Sequence, residues 1–361
     1  MQKVVTGAAW AEFCDALKAA GDEVLRDGVH DPLDIAEGYR MLTRLMRGSL
    51  ESRLEYGDPA RPALICTCHE TIKIVAENPD NLYLGSSIAG RYDYRIWGTR
   101  GEARWISFNT FNAGGFGGKG GRGTGTTLHE QQLDVAPDGT FEIILSQREH
   151  AGNWLRLEPD TTSLTICQTF LHKGTDRPAE LHIERIDDVV GPPAPLTPQH
   201  LHASLTATIA YLRAITSIGA SWAERNAEHP NEFFDAQRDD TRLFADPQIR
   251  WHMAYLELRA DEALVVEFVP PECDYWMVAL HNHWMETLDY RYHPVTLNSA
   301  TAQVAADGGA RVVVAHDDPG VPNWLSMAGH ERGVLGVRWV GADVVDVVPS
   351  TRLVPLASLA Q

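Results

Sequence analysis

No apolar run in the sequence reaches membrane length, and the opening Met1-Gln2-Lys3, followed by an Ala-rich charged stretch, lacks the apolar core of a signal peptide. Membrane insertion is therefore not expected, and the chain reads as cytoplasmic. Cysteine is scarce and odd in number: the five, Cys14, Cys66, Cys68, Cys167 and Cys273, are too scattered for a disulfide framework. Cys66-Thr67-Cys68-His69 has no second ligand pair elsewhere, so it reads as small residues alternating on a strand rather than as a zinc site. Positive charge is outweighed, with 31 Lys and Arg against 49 Asp and Glu and a net charge of -18. Like charge opposes a nucleic-acid backbone or an anionic membrane as partner, which leaves a small molecule as the expected one. Also missing are a Gly-x-Ser-x-Gly elbow, a Gly-x-Gly-x-x-Gly after a strand and a His-Glu-x-x-His, which removes the motif support for serine hydrolase, dinucleotide oxidoreductase and zincin chemistry. The Gly-rich tract Ala113 to Gly125 carries Lys119 and Arg122, but it does not open a helix with Gly-Lys-Ser/Thr. It reads as a hairpin loop or mobile lid.

What is present is a globular composition, 44% hydrophobic and 22% charged, over 361 residues, enough for two domains. Asp31-Pro32 is an N-cap and first-turn pair, and Ala36, Tyr39, Leu42, Leu45, Met46 and Leu50 recur near the helical period. With the run from Ala8 to Leu25 they predict a helical hairpin over residues 1–60. From 61 to 190 the period is two: Tyr92, Tyr94, Ile96; Ile106, Phe108; Phe141, Ile143, Leu145; Leu164, Ile166. Gly191-Pro192-Pro193-Ala194-Pro195 marks a linker, and residues 191–250 add a helix from Thr197-Pro198 with Leu201, Leu205, Ile209, Leu212 and Ile215 on one face, and a short helix near Asn231 to Gln237. Strand rhythm returns over 251–361, the last segment being Val344 to Val348.

The second β region repeats the first. Asp138-Gly139-Thr140-Phe141-Glu142-Ile143-Ile144-Leu145 matches Asp307-Gly308-Gly309-Ala310-Arg311-Val312-Val313-Val314, and each leads through a polar loop to Asn-Trp-Leu, at Asn153 and at Asn323. The expected fold is mainly β with helical additions: two related jelly-roll-like antiparallel β-sandwiches, an N-terminal helical hairpin and a helical inter-domain insertion. The shared Asn-Trp-Leu reads as an anchor docking each loop on its core, with Trp buried and Asn bonding the turn.

Chemistry-bearing residues concentrate in the second copy. His281 and His283 face one way on a strand, the spacing of metal ligands in sandwiches, with Glu286 or His293 as a possible third. His316-Asp317-Asp318-Pro319-Gly320 and Gly329-His330 offer imidazoles beside carboxylates, the pairing proton transfer uses, although Asp318-Pro319-Gly320 also reads as a plain turn.

His316-x-Asp318-Pro319-Gly320, Asn323-Trp324-Leu325, Gly329-His330, Arg338-Trp339 and Arg352-Leu353-Val354-Pro355-Leu356 resemble the C-terminal signature of the domain-of-unknown-function family 1214. Asn282-x-Trp284 with Leu288-Asp289-Tyr290 fits it too, and Asn78-Pro79-Asp80-Asn81-Leu82-Tyr83 and Tyr94-Arg95-Ile96 look like the N-terminal half of full-length members. The resemblance implies two jelly-roll-type sandwiches and supplies no reaction.

The functional expectation is an acid/base enzyme without organic cofactor, of lyase, isomerase or hydrolase type, acting on a small, largely apolar hydroxylated compound such as a terpenoid or steroid. His316, Asp318, His330 and Glu286 are the candidate catalytic residues, and Trp284, Tyr290, Arg291, Arg338 and His283 the candidate substrate-binding ones. A carbohydrate-binding or structural module with Trp284, Tyr290 and Tyr292 as a platform is the alternative, and a metal enzyme using His281 and His283 a further one. A homodimer is the prior for such a protein.

Overall fold

Asp31 accepts a hydrogen bond from the Leu33 N–H at 2.7 Å and Pro32 takes the first helical position, so the cap read in the sequence starts the helix Pro32–Leu50. This is α3 of a computed structural model that describes residues 1–113, 124–188, 191–235, 248–342 and 347–359. The other helices are α1 (Gln2–Val5), α2 (Ala8–Asp22) and α4 (Pro198–Asn226). Phe13 of α2, Met46 and Leu50 of α3, and Leu201, Leu205 and Ile209 of α4 close on one another, which gives the amphipathic faces their cover. The short helix expected near Asn231 is not formed in its described part: residues 231–233 are turn and loop, and Phe234–Asp235 is a strand. Asn231 is the reason. Its φ is 64°, and its side-chain amide bonds the Glu257 main chain in both directions, at 2.9 and 3.2 Å, which pins the segment to a sheet edge. The Gly-rich loop, apart from its ends, and residues 344–346 of the last expected strand lie outside the described residues.

The chain forms two compact units: residues 1–72, 82–170 and 174–216, and residues 73–81, 171–173 and 217–361. In the first, one sheet has the order β1 (Ile65–Cys68), β2 (Asn81–Ser87), β8 (Thr161–Thr169), β4 (Trp105–Asn112), β5 (Thr124–His129). The other is β7 (Trp154–Arg156), β6 (Thr140–Ser146), β3 (Tyr94–Thr99), β9 (Glu180–Arg185). The second unit has the same plan: β10 (Phe234–Asp235), β11 (Ile249–Glu257), β17 (Arg332–Val340), β13 (Tyr275–His281), β14 (Thr296–Asn298), and β16 (Trp324–Ser326), β15 (Ala310–Ala315), β12 (Glu262–Phe268), β18 (Ser350–Pro355). Each is a mainly antiparallel sandwich with one short parallel pair, β6 with β7 and β15 with β16.

The alternating residues meet as expected. Ile96, Ile106, Phe108, Ile143, Leu145, Leu164 and Ile166 fill the first core, and Leu264, Val266, Val278, Val312, Val314, Leu335, Val337 and Trp339 the second.

The repeat extends to single hydrogen bonds. Asn153 Nδ2 donates to the carbonyls of Asp134 and Glu142 at 2.8 and 3.0 Å, and Asn323 Nδ2 to those of Gln303 and Arg311 at 2.7 and 2.9 Å. Each Asn Oδ1 accepts from the main-chain N–H of its loop partner, Asp134 or Gln303, at 2.8 Å. Trp154 Nε1 donates to Ser146 O and Trp324 Nε1 to Ala315 O. The expected roles shift in one respect: both Trp rings are half-buried, and the buried member is the following Leu155 or Leu325. An indole that must reach a strand-end carbonyl cannot also sink into the core.

Candidate functional site

In the second sandwich, strands β11, β17 and β13 turn one set of side chains into the core and the other set outward. The outward set is a grid fixed by register: Trp251, Arg338 and Met277 in one row, Met253, Gly336 and Ala279 in the next, Tyr255, Val334 and His281 in the third. An outward sheet face ordinarily meets water, yet Arg338 is 3% exposed and His281 2%. Cover comes from within the same unit. Ala76, Trp222, Ala223 and Met285 pack with Trp251, Met253, Tyr255 and Val334, and Val75 and Ile218 join them. Gly219 of α4 allows the close approach, because a Cβ there would lie 2.7 Å from the Trp284 carbonyl oxygen.

Charge has been taken under this cover. Lys73 and Glu77, both buried, form an ion pair with Nζ 3.5 Å from Oε1. Lys73 Nζ also donates to the Thr287 and Leu288 carbonyls and lies 4.9 Å from the centre of the Tyr290 ring. Thr287 bonds back to Glu77 through its N–H at 3.4 Å and its hydroxyl at 2.8 Å. Burial pushes the Glu77 carboxyl above the ordinary carboxylate value, and Lys73 opposes that rise only in part. Arg338 lies with its guanidinium carbon 3.4 Å from the centre of the Trp251 ring and donates to Ala76 O at 2.7 Å. Asp80 accepts from the Tyr275 hydroxyl at 2.7 Å and from Asn298 Nδ2 at 2.9 Å, and burial raises its pKa also. Lys173 donates to the Pro79 and Asn81 carbonyls, which ties residues 171–173 to the same cluster.

His281 sits at the end of β13 among these groups. Its Nδ1 is 3.2 Å from Val334 O, an atom that only accepts, so Nδ1 carries the hydrogen and Nε2 presents a lone pair. That Nε2 is buried and meets no donor among the described residues. Burial, reinforced by Arg338 and Lys73, pushes the imidazole pKa down to about 3, so the ring is neutral. The backbone is strained beside it: Ala76 and Met285 have φ of 52° and 62°, and the Ala76 N–H donates to Met285 O at 2.6 Å.

Of the residues singled out in the sequence, Arg338, Tyr290 and His281 belong to this cluster. His283 is buried with Nδ1 3.3 Å from the Tyr255 hydroxyl, and Trp284 and Glu286 are buried in the tight loop that Asn282 closes, its Oδ1 accepting from both their N–H groups at 3.0 Å. Arg291 pairs with Asp289 at 2.7 Å, and its hydrogen bonds hold that carboxyl at about 2. His316 Nε2 donates to Leu258 O at 2.8 Å, His330 Nδ1 to Met327 O at 3.0 Å, and Asp318 accepts from the Gly320 N–H at 2.8 Å; His316 and Asp318 share the loop after β15, and His330 lies in the next one. Trp284 is interior whereas Tyr292 is 76% exposed, so the two do not share an exposed face. Among the described residues no three His, Cys, Asp or Glu side chains gather in a way that could hold a metal ion, and no helix is long and apolar enough to cross a membrane.

Sequence reasoning missed Lys73, Glu77, Asp80, Tyr275 and Asn298. A signal existed for three of them: the stretch Lys73 to Asn81 holds Lys, Glu and Asp with two Asn and a Pro, and has neither helical nor strand period.

The model of the family described as "Protein of unknown function (DUF1214)" matches residues 257–342, which contain His281 and Arg338. A crystal structure of an uncharacterised protein from Burkholderia cenocepacia is 43% identical, with 99% of each chain covered and a TM-score of 0.94. The VPA0106 protein of Vibrio parahaemolyticus is 12% identical, with 94% of this chain and 100% of that chain covered and a TM-score of 0.49. No curated protein matches the chain.

Proposed function

Because the chain belongs to the DUF1214 family, whose description assigns no activity, its chemistry has to come from its own residues, and we propose that the second unit is an acid/base site for a small, largely apolar hydroxylated compound. The observation that carries this reading is His281 Nε2, a neutral acceptor buried without a donor among the described residues. Leaving such an atom unbonded costs about 1–3 kcal/mol, which a hydroxyl of the substrate would recover. A ring whose pKa is so low is a poor base, so its role is to accept the substrate's hydrogen bond. Proton transfer falls to Glu77, whose raised pKa moves toward the range where one carboxyl can both give and take a proton. Arg338, held flat on Trp251, supplies positive charge for the oxygen that enters or leaves. Trp251, Met253, Tyr255, Trp222 and Met285 provide the apolar surroundings. Opening runs through the Ala76–Met285 contact, where two strained residues hold the cover shut.

Terpenoid alcohols and sterols incubated with the purified protein, with substrate and product followed by mass spectrometry, test the reading. Glu77→Gln should lose turnover with little change in KM, and His281→Ala should raise KM. Turnover that survives both changes but fails in His316→Ala or His330→Ala would move the chemistry to those histidines. If no compound is consumed and saturable glycan binding is found, the carbohydrate-binding reading replaces this one.

A further inference from the structure

The first unit has an open cavity of about 530 Å³, large enough for a small organic molecule, whose walls include Arg53, Arg91 and His200. In a chain of net charge -18, guanidinium groups are expected to find carboxylates, yet neither Arg53 nor Arg91 pairs with one among the described residues. Their positions are set by other means. Arg53 lies on a π-helical turn, Glu51–Glu55, that follows α3; such turns are rare and recur at functional sites. Its Nε donates to the Ser49 hydroxyl at 3.1 Å, Ser49 in turn bonds the Thr208 hydroxyl at 3.2 Å, and Ser204 donates to the Arg53 carbonyl at 3.1 Å. The guanidinium carbon stands 5.4 Å from the centre of the Tyr211 ring. Arg91 is laid along Tyr92, 4.5 Å from the ring centre, with a hydrogen bond to the Tyr92 hydroxyl at 3.3 Å. Two guanidiniums fixed by aromatic rings and hydroxyls, with an imidazole in the same cavity, offer planar donors to an oxyanion. Thr161 and Ser87 also line the cavity, with their hydroxyls donating to Asn112 Oδ1 and Ser52 O, and the exposed Asp160 disfavours a second negative group on the ligand.

We propose that this cavity binds a small organic molecule through one oxyanion head group, a carboxylate or a phosphate monoester, held by Arg53 and Arg91. The site is separate from the one proposed in the second unit and stands whether or not that unit is catalytic. Calorimetric titration of the full chain with benzoate, phenyl phosphate and, as the uncharged comparison, benzyl alcohol tests it. Saturable binding of at least one anion at micromolar to millimolar concentration is expected, with benzyl alcohol weaker by tenfold or more, since hydrogen bonds from a guanidinium to an ionised oxygen are roughly twice as strong as neutral ones. Arg53→Gln and Arg91→Gln should each weaken the anion by about tenfold and bring it closer to benzyl alcohol. Arg53 is tied to α3 and α4 through Ser49 and Ser204, whereas Arg91 bonds its neighbour Tyr92, so Arg91→Gln decides alone if Arg53→Gln unfolds. Benzyl alcohol binding as tightly as the anions, an unchanged affinity in Arg91→Gln, or no saturable binding of either anion would overturn the proposal.

Discussion

If His281 is neutral because it is buried, acid should unfold the protein partly through this one ring. Its folded pKa of about 3 lies below the ordinary imidazole value of 6.5, so in the range between them the unfolded chain binds a proton that the folded chain refuses. The sign follows: the contribution is complete above 6.5 and is lost as pH falls toward 3. At about 1.4 kcal/mol per pH unit the whole effect is about 5 kcal/mol, of which about 2 kcal/mol should go between roughly pH 7.5 and pH 5. His281→Asn keeps an amide N–H for Val334 O but cannot be protonated. Urea unfolding of both proteins across that interval, monitored by tryptophan fluorescence, gives the comparison: the variant is less stable at neutral pH, and the gap should close by about 2 kcal/mol toward pH 5. Carboxylates elsewhere titrate in both proteins and drop out of the difference. Parallel stability curves would refute the reasoning, as would an imidazole resonance assigned to His281 that titrates near 6.5.

Lys73→Met should cost about 3–5 kcal/mol, since Glu77 is left buried beside apolar groups, and Lys73→Met with Glu77→Gln should recover most of it; denaturant midpoints check both, and equal losses in the single and double variants would mean the pair does not interact. Asn153→Ala and Asn323→Ala each remove three hydrogen bonds; Asn153→Ala should cost about 2–3 kcal/mol, and Asn323→Ala about 1 kcal/mol more because φ at 323 is 57°, which alanine adopts less readily than asparagine. Gly219→Ala in an open helix would gain about 1 kcal/mol, but here the added Cβ meets the Trp284 carbonyl at 2.7 Å, so a lower melting temperature is expected. Ala76→Gly should leave stability unchanged or raise it, whereas Ala→Gly at other buried sites lowers it, because the left-handed φ of 52° costs glycine nothing.

The fold was legible where a local pattern has one physical outcome. Period-two runs became core strands, Asp31-Pro32 began a helix, and the doubled Asn-Trp-Leu marked two copies of one sandwich. The grid of His281, Arg338, Trp251 and Tyr255 could not be read the same way, because adjacency across β11, β17 and β13 depends on register between residues more than 50 positions apart. His281 was marked by its spacing from His283 and Arg338 by the Arg338-Trp339 pair, and neither feature names a partner. Lys73 and Glu77 lie in a stretch whose polar content shows in the sequence, but their place in this cluster was hidden for a different reason. They are far from the second β region in sequence, and only the fold joins residues 73–81 to the second unit.

Register also allows the two sandwiches to be compared face by face. Pairing of β4 with β8 starts at Trp105 and Thr169, and pairing of β13 with β17 at Tyr275 and Val340, so Phe111 of the first copy holds the place of His281, Cys167 that of Arg338, and Trp105 that of Tyr275. Core positions correspond in kind: Ile106, Phe108 and Ile166 against Trp276, Val278 and Val337. The outward face of the first copy is neutral, and its polar groups bond one another, Asn109 to the Ser107 and Thr127 hydroxyls at 3.1 and 3.0 Å. One backbone plan thus tolerates a neutral, locally satisfied face, and burying charge is no requirement of the sandwich. Replacing Arg338, Lys73 and Glu77 by uncharged residues of similar volume should then leave the second unit folded and at least as stable. Desolvating three charges that the sandwich plan does not require is a cost, and it is one ground for the proposal of an acid/base site in the second copy.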